Sequence, residues 1–162
     1  MSTNDPHPRT EVERVGDREL VVTRTVKGPV DVVYRAWTTP DLFRRWWVPP
    51  SFGLTLLSCE LDVRVGGRYR LEFQHGDATM AFFGTYLEVS PPTRLSWTND
   101  EGEGEAVITT VTLTAQGGST LVVVHDLYPS KEALDAAIDS GSTGALPEQL
   151  DQLEERLPEF AG

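Results

Sequence analysis

Residues 20–47 read LVVTRTVKGPVDVVYRAWTTPDLFRRWW, and the change of pattern inside this stretch decides the class of fold. Leu20 to Val26 is β-branched and roughly alternating, as a strand requires. Gly28-Pro29 stops it, and proline at the first helical position loses nothing, because that N–H would be unpaired anyway. Val30 to Thr38 then places Val33, Ala36 and Trp37 on one helical face. Thr39-Pro40-Asp41 repeats the device with a capping hydroxyl, a first-turn proline and an acid beside the positive helix end. Leu42, Phe43 and Trp46 form the apolar face of a second short helix, which ends at Trp47 and the loop Val48 to Gly53.

Downstream the period changes to two. Leu54 to Val65 runs into the turn Gly66-Gly67, and in Arg68 to Phe73 the residues Tyr69, Leu71 and Phe73 face one way while Arg68, Arg70 and Glu72 face the other. Strands follow at Ala78 to Val89, Arg94 to Thr98, Val107 to Thr114 and Thr120 to Leu127, separated by tight turns. That spacing predicts an antiparallel meander. Ser130 can cap a helix over Lys131 to Ser140, with Gly141 as its stop. Leu146, Leu150, Leu153 and Leu157 then recur as an apolar helical stripe, with Pro147 in the first turn and Pro158 closing the helix. A strand, two short helices, six strands and a C-terminal helix make an α+β fold, in which the leucine stripe covers the apolar face of the sheet.

Upstream, residues 1–17 are polar, with Pro6, Pro8 and Gly16, and are expected to form a mobile tail ahead of one domain over 18–160. The 162 residues hold 14 bases and 25 acids, a net charge of −11. A field of that sign repels phosphate backbones and anionic lipid, so neither nucleic acid nor a membrane surface is an expected partner. No apolar run approaches the ~20 residues of a membrane helix. The polar N-terminus lacks a signal-peptide core, so a cytoplasmic location is expected. Cys59 is the sole cysteine, which excludes an intrachain disulfide. The histidines His7, His75 and His125 are not clustered with acids, and no phosphate loop, dinucleotide fingerprint or nucleophile elbow occurs, so no metal and no cofactor is expected.

Taken together, Val22-Thr23-Arg24-Thr25-Val26, Gly28-Pro29, Val33 to Thr38, Pro40-Asp41-Leu42 and Trp46-Trp47 resemble the opening of the activator-of-heat-shock-protein-90-ATPase homologue (AHSA1-like) family, of the START-like (SRPBCC) superfamily. Asp62 to Tyr69, Gly84 to Val89, Pro91-Pro92, Arg94-Leu95 and, more loosely, His125, Gly144 to Leu146 and Leu150 to Leu153 continue the resemblance across about 19–157. It implies a helix-grip fold, a curved antiparallel sheet wrapped around a long C-terminal helix, with a cavity between them that commonly takes an apolar small molecule. Ser142-Thr143-Gly144 and Pro147 depart from the family's pattern, which implies a late start to that helix and a loose cavity mouth.

The candidate ligand-binding residues are Trp46, Trp47, Phe52, Phe73, Phe82, Tyr86, Trp97, His125, Leu146, Leu150 and Leu153. Large rings and aliphatics with a few polar groups suit an apolar or aromatic ligand, although rings also fill cores, Trp37 foremost. His125 shares its face with Leu121, Val123 and Leu127 and is expected inside, as a polar anchor beside Tyr86. Two further functions are weighed. One is a cyclase- or hydrolase-like enzyme, with His125 as general base and Tyr86 or Tyr69 polarising a carbonyl. The other is a chaperone ATPase co-regulator, after the family's name. The crowded acids Asp100, Glu101, Glu103 and Glu105 read as a solvated hairpin, and Arg24, Arg64, Arg68 and Arg70 as charge pairs on the outer sheet face. The apolar run of Trp46 to Pro50 with Phe52 must be covered, either as the lid of the cavity or as the contact of a homodimer.

Overall fold

Each alternating segment pairs antiparallel with its neighbour, and together they make one sheet. The computed structural model describes residues 9–100 and 106–161. The elements run β1 (Glu11–Val15), β2 (Glu19–Lys27), α1 (Val30–Thr38), α2 (Pro40–Phe43), β3 (Thr55–Leu61), β4 (Arg68–His75), β5 (Ala78–Ser90), β6 (Arg94–Asn99), β7 (Val107–Gln116), β8 (Ser119–Leu127), α3 (Lys131–Ser140) and α4 (Ala145–Phe160). The strand order is β1-β2-β8-β7-β6-β5-β4-β3. The fold is α+β and of the helix-grip type, with the sheet curved around α4.

The curve has a local cause in β5. Its first part pairs with β4, from His75↔Ala78 to Arg68↔Thr85, and its last part pairs with β6, from Tyr86↔Trp97 to Ser90↔Arg94. The register slips beside this junction, which lets the strand turn a corner. At Gly84 a Cβ would stand 1.8 Å from the Thr98 carbonyl oxygen, so a side chain there would force the strands apart.

The concave face carries Leu20, Val22 and Val26 from β2, Val122 and Val124 from β8, and Tyr69, Leu71 and Phe73 from β4, all buried. Leu150, Leu153, Leu157 and Phe160 of α4 close over it and against α1. Fully burying one such leucine contributes about 2 kcal/mol. Ser130 caps α3 by accepting from the Ala133 N–H, and Gly141 stops it at φ 83°.

Three expectations change. Residues 11–15, assigned to the tail, alternate as Glu-Val-Glu-Arg-Val and pair with β2, extending the sheet by one exposed edge strand. Residues 1–8 and the acids 101–105 lie outside the described residues. The last helix begins at Ala145, which puts Pro147 in the first turn as expected, where a missing N–H costs no bond. Pro158 does not close it: the helix runs two residues further, and Phe160 is buried in the core. Finally, Arg24 is buried on the concave side. It bonds to Glu154 of α4 at 2.6 Å and to Asp151, instead of pairing on the outer face.

Candidate functional site

The β2–β8–β7–β6 face is filled by α1 and α4 at one end only. At the other end the sheet curls away through β5 and β4, and a cavity of about 430 Å³ remains between them and the helices. Trp47, Pro49 and Phe52 form one wall, from the loop after α2. Phe73, Phe82, Tyr86 and Trp97 form the sheet wall, and Leu146 and Gln149 contribute from the start of α4.

The loop is held there by the last helix. The Gln152 side-chain amide donates to the carbonyls of Trp46 at 3.1 Å and Val48 at 2.8 Å, and that of Gln149 donates to the Trp47 carbonyl. Glu148 accepts from the Ser51 hydroxyl and from its N–H at 3.1 Å. The apolar loop is thus seated as cavity wall within one chain, with Phe52 left 37% exposed. Trp47 stacks on Phe43 with centroids 4.7 Å apart, and Trp37 meets Trp46 edge-on at 4.7 Å.

Of the residues singled out in the sequence, Trp47, Phe52, Phe73, Phe82, Tyr86, Trp97 and Leu146 are brought together on the cavity wall. Trp46, Leu150 and Leu153 are not: each is fully buried in the packed part of the core. His125 is on the other face. Its Nε2 lies 2.7 Å from Glu19 Oε1, turned away from the cavity. The inward set of β8 is Thr120, Val122, Val124 and Asp126, one residue out of step with the expectation. The run Val122-Val123-Val124 is apolar on both faces, so the alternation in β8 carried no phase. An enzyme mechanism with His125 as base loses its base.

What takes that place is a polar end to the cavity that the sequence reading missed. Asn99, Thr109, Asp126 and Tyr128 all line it. The Trp97 indole N–H donates to Asn99 Oδ1 at 3.3 Å, and Asn99 Nδ2 donates to the Val107 carbonyl and to Thr109 Oγ1, both at 2.9 Å. Thr109 Oγ1 in turn donates to Asp126 Oδ1 at 2.6 Å. Burial pushes the Asp126 carboxyl above the usual carboxylate range, opposed by the Thr109 bond and the nearby His125. Burial, with the charge of Asp126, pushes the Tyr128 hydroxyl up to about 12. Tyr86 is also pushed up, chiefly by burial, and so is the Cys59 thiol, to about 11. At such a value the thiol is protonated and a poor nucleophile.

A raised native carboxyl contributes stability below its ordinary range and loses it as pH rises through the native value. Asp126→Asn keeps an acceptor for Thr109 and removes the titration. The variant is therefore expected to melt above the wild type near pH 8, the gap closing toward about pH 4. Melting curves across that range check this, and a gap that widens on acidification would refute it.

The comparisons with known proteins agree on family and fold. The profile of the family described as "Activator of Hsp90 ATPase homolog 1-like protein" matches residues 27–158. A crystal structure from Rhodobacter sphaeroides superposes with a TM-score of 0.84 at 20% identity, covering 93% of this chain and 98% of that one. One from Chromobacterium violaceum gives 0.73 at 29% identity, covering 86% and 97%. The solution structure of an AHSA1-like protein from Aeromonas hydrophila gives 0.67 at 25% identity, covering 83% and 92%. No curated protein sequence matches the chain. Among the described residues, no helix is long and apolar enough to cross a membrane.

Proposed function

The chain belongs to the family of activator of Hsp90 ATPase homolog 1-like proteins, and from that premise we propose that it is a small-molecule binding protein whose apolar or aromatic ligand sits between the sheet and the helices. The cavity supports this: its volume of about 430 Å³ falls in the ~300–1,000 Å³ typical of ligand pockets. Its walls are mostly rings and aliphatics, with the connected polar groups of Asn99, Thr109 and Asp126 among them, which is the distribution that holds an apolar body and orients it. Burial of the ligand would supply the affinity, at roughly 25 cal/mol per Å² before the cost of immobilising it.

Titration with the neutral fluorescent probe N-phenyl-1-naphthylamine tests the proposal. A single saturable site is expected, with the emission shift of a dry environment. Ala145→Trp introduces an indole at the cavity wall and is expected to weaken binding by about tenfold or more, with an unchanged far-ultraviolet circular dichroism spectrum. Probe binding that is equal in both folded proteins would place the probe elsewhere and refute the proposal.

A further inference from the structure

The cavity has a sign. Its described lining holds one carboxyl group, Asp126, and no lysine, arginine or histidine. The basic side chain nearest in sequence, His125, lies on the opposite face of the sheet and is engaged by Glu19. Asp126 therefore lines an apolar cavity with no basic side chain beside it in that lining, an arrangement that is costly once the group ionises.

The hydrogen-bond chain behind Asp126 shows which of its atoms is left for a ligand. An indole N–H can only donate and a backbone carbonyl can only accept. Trp97 and Val107 thus fix the Asn99 amide with Oδ1 toward the indole and Nδ2 toward the strand. Nδ2 then also supplies a hydrogen to Thr109 Oγ1, so the threonine's own hydrogen points at Asp126 Oδ1. Three strands cooperate to orient one carboxyl group: β6 through Asn99, β7 through Thr109 and β8 through Asp126. Oδ1 is occupied, and among the described residues Oδ2 has no hydrogen-bond donor. Around this end stand the rings of Trp97, Tyr69 and Tyr128, whose faces attract cations.

Resting on the ligand-binding proposal above, we infer that the cavity selects ligands bearing a protonated amine on an apolar, ring-sized body, with the ammonium group bonded to Asp126 Oδ2 and the body among the rings. A carboxylate-bearing ligand of the same shape meets a like charge with no base to offset it. A neutral alcohol keeps the burial and gives up the charge-assisted bond.

Three probes of one shape separate these cases: 2-naphthylmethylamine, 2-naphthalenemethanol and 2-naphthylacetate, each displacing N-phenyl-1-naphthylamine at pH 7.5. The wild type is expected to bind the amine about tenfold or more tighter than the alcohol, and the acetate weakest. Asp126→Asn is expected to keep a saturable dye site and to lose the preference for the amine over the alcohol. Dye binding by this variant shows that the cavity is intact. A wild type that binds dye and alcohol but does not prefer the amine overturns the inference and leaves the ligand-binding proposal standing, as does an amine preference that survives in Asp126→Asn. A folded wild type that binds neither the dye nor any naphthyl probe overturns both.

Discussion

Replacing Trp46 by alanine is expected to cost about 4 kcal/mol of unfolding free energy, in the range for emptying a buried tryptophan site. The side chain is fully buried and touches Trp37, Phe43 and Trp47 with ring centroids 4.7, 5.5 and 5.4 Å away. Its indole N–H also donates to the Ala36 carbonyl at 3.0 Å, tying the loop after α2 to α1. Alanine leaves a void among rings that cannot collapse into it, because they are packed against one another and against the sheet. Natural domains hold roughly 5–15 kcal/mol in all, so much of the stability would be lost. Trp46→Phe keeps most of the volume and gives up the hydrogen bond, so a cost of about 1–2 kcal/mol is expected. Urea denaturation of the two variants checks both figures. A cost under about 1 kcal/mol for alanine would mean that the rings repack freely.

The second large effect is at Arg24. Its side chain is 2% exposed and holds α4 to β2 through Asp151 and Glu154, with Thr10 Oγ1 accepting at 3.0 Å. Arg24→Met keeps the length and removes the charge. The expected cost is about 3 kcal/mol at pH 7, since breaking a buried pair leaves its partner charged and unmatched. The pH dependence follows from Glu154. Burial alone would raise its carboxyl, but the bonds from Arg24 and from the Lys27 N–H, with the charges of Arg24 and Arg9, hold it below the usual range. A lowered native carboxyl contributes stability above its ordinary range and loses it as pH falls through the native value. Wild type and Arg24→Met should therefore converge on acidification, the wild type falling toward the variant, whereas against Asp126→Asn the wild type rises toward it. Melting temperatures over about pH 3–8 decide it. A gap independent of pH would show that Arg24 acts through packing alone.

These two sites also mark what a sequence can disclose. Both helices of 30–43 were legible because glycine and proline punctuate the chain locally; Thr39 takes the N-cap position, but its hydroxyl makes no cap bond, contrary to expectation. In β4 every second residue is apolar, so its phase was readable too. Arg24 was not, because a charge on an alternating strand ordinarily faces water and its partners lie 127 and 130 residues away. Asp126 was hidden by the same rule, since the alternation of β8 is blurred by three consecutive valines. The cavity itself has no signature in sequence. The rings of Trp47, Phe73, Phe82 and Tyr86 would read the same whether they met in a filled core or stood around a space. The corner at Gly84 and the placement of α4 at one end of the sheet leave the space those rings line.

The placement of α4 has a consequence for how the protein is made. Among the described elements it is the last to leave the ribosome, yet Leu150, Leu153, Leu157 and Phe160 complete the core that β2 and α1 begin. At synthesis rates of ~5–20 residues per second, the interval between α1 and α4 spans several seconds or more. Through that time the nascent sheet has no lid, and Val22, Val26 and Trp37 face solvent or whatever else is near. The edge strands β1 and β3 are open as well. Slowing translation between α3 and α4 is then a different hazard from slowing it elsewhere, because it prolongs the one state in which the grip has nothing to hold.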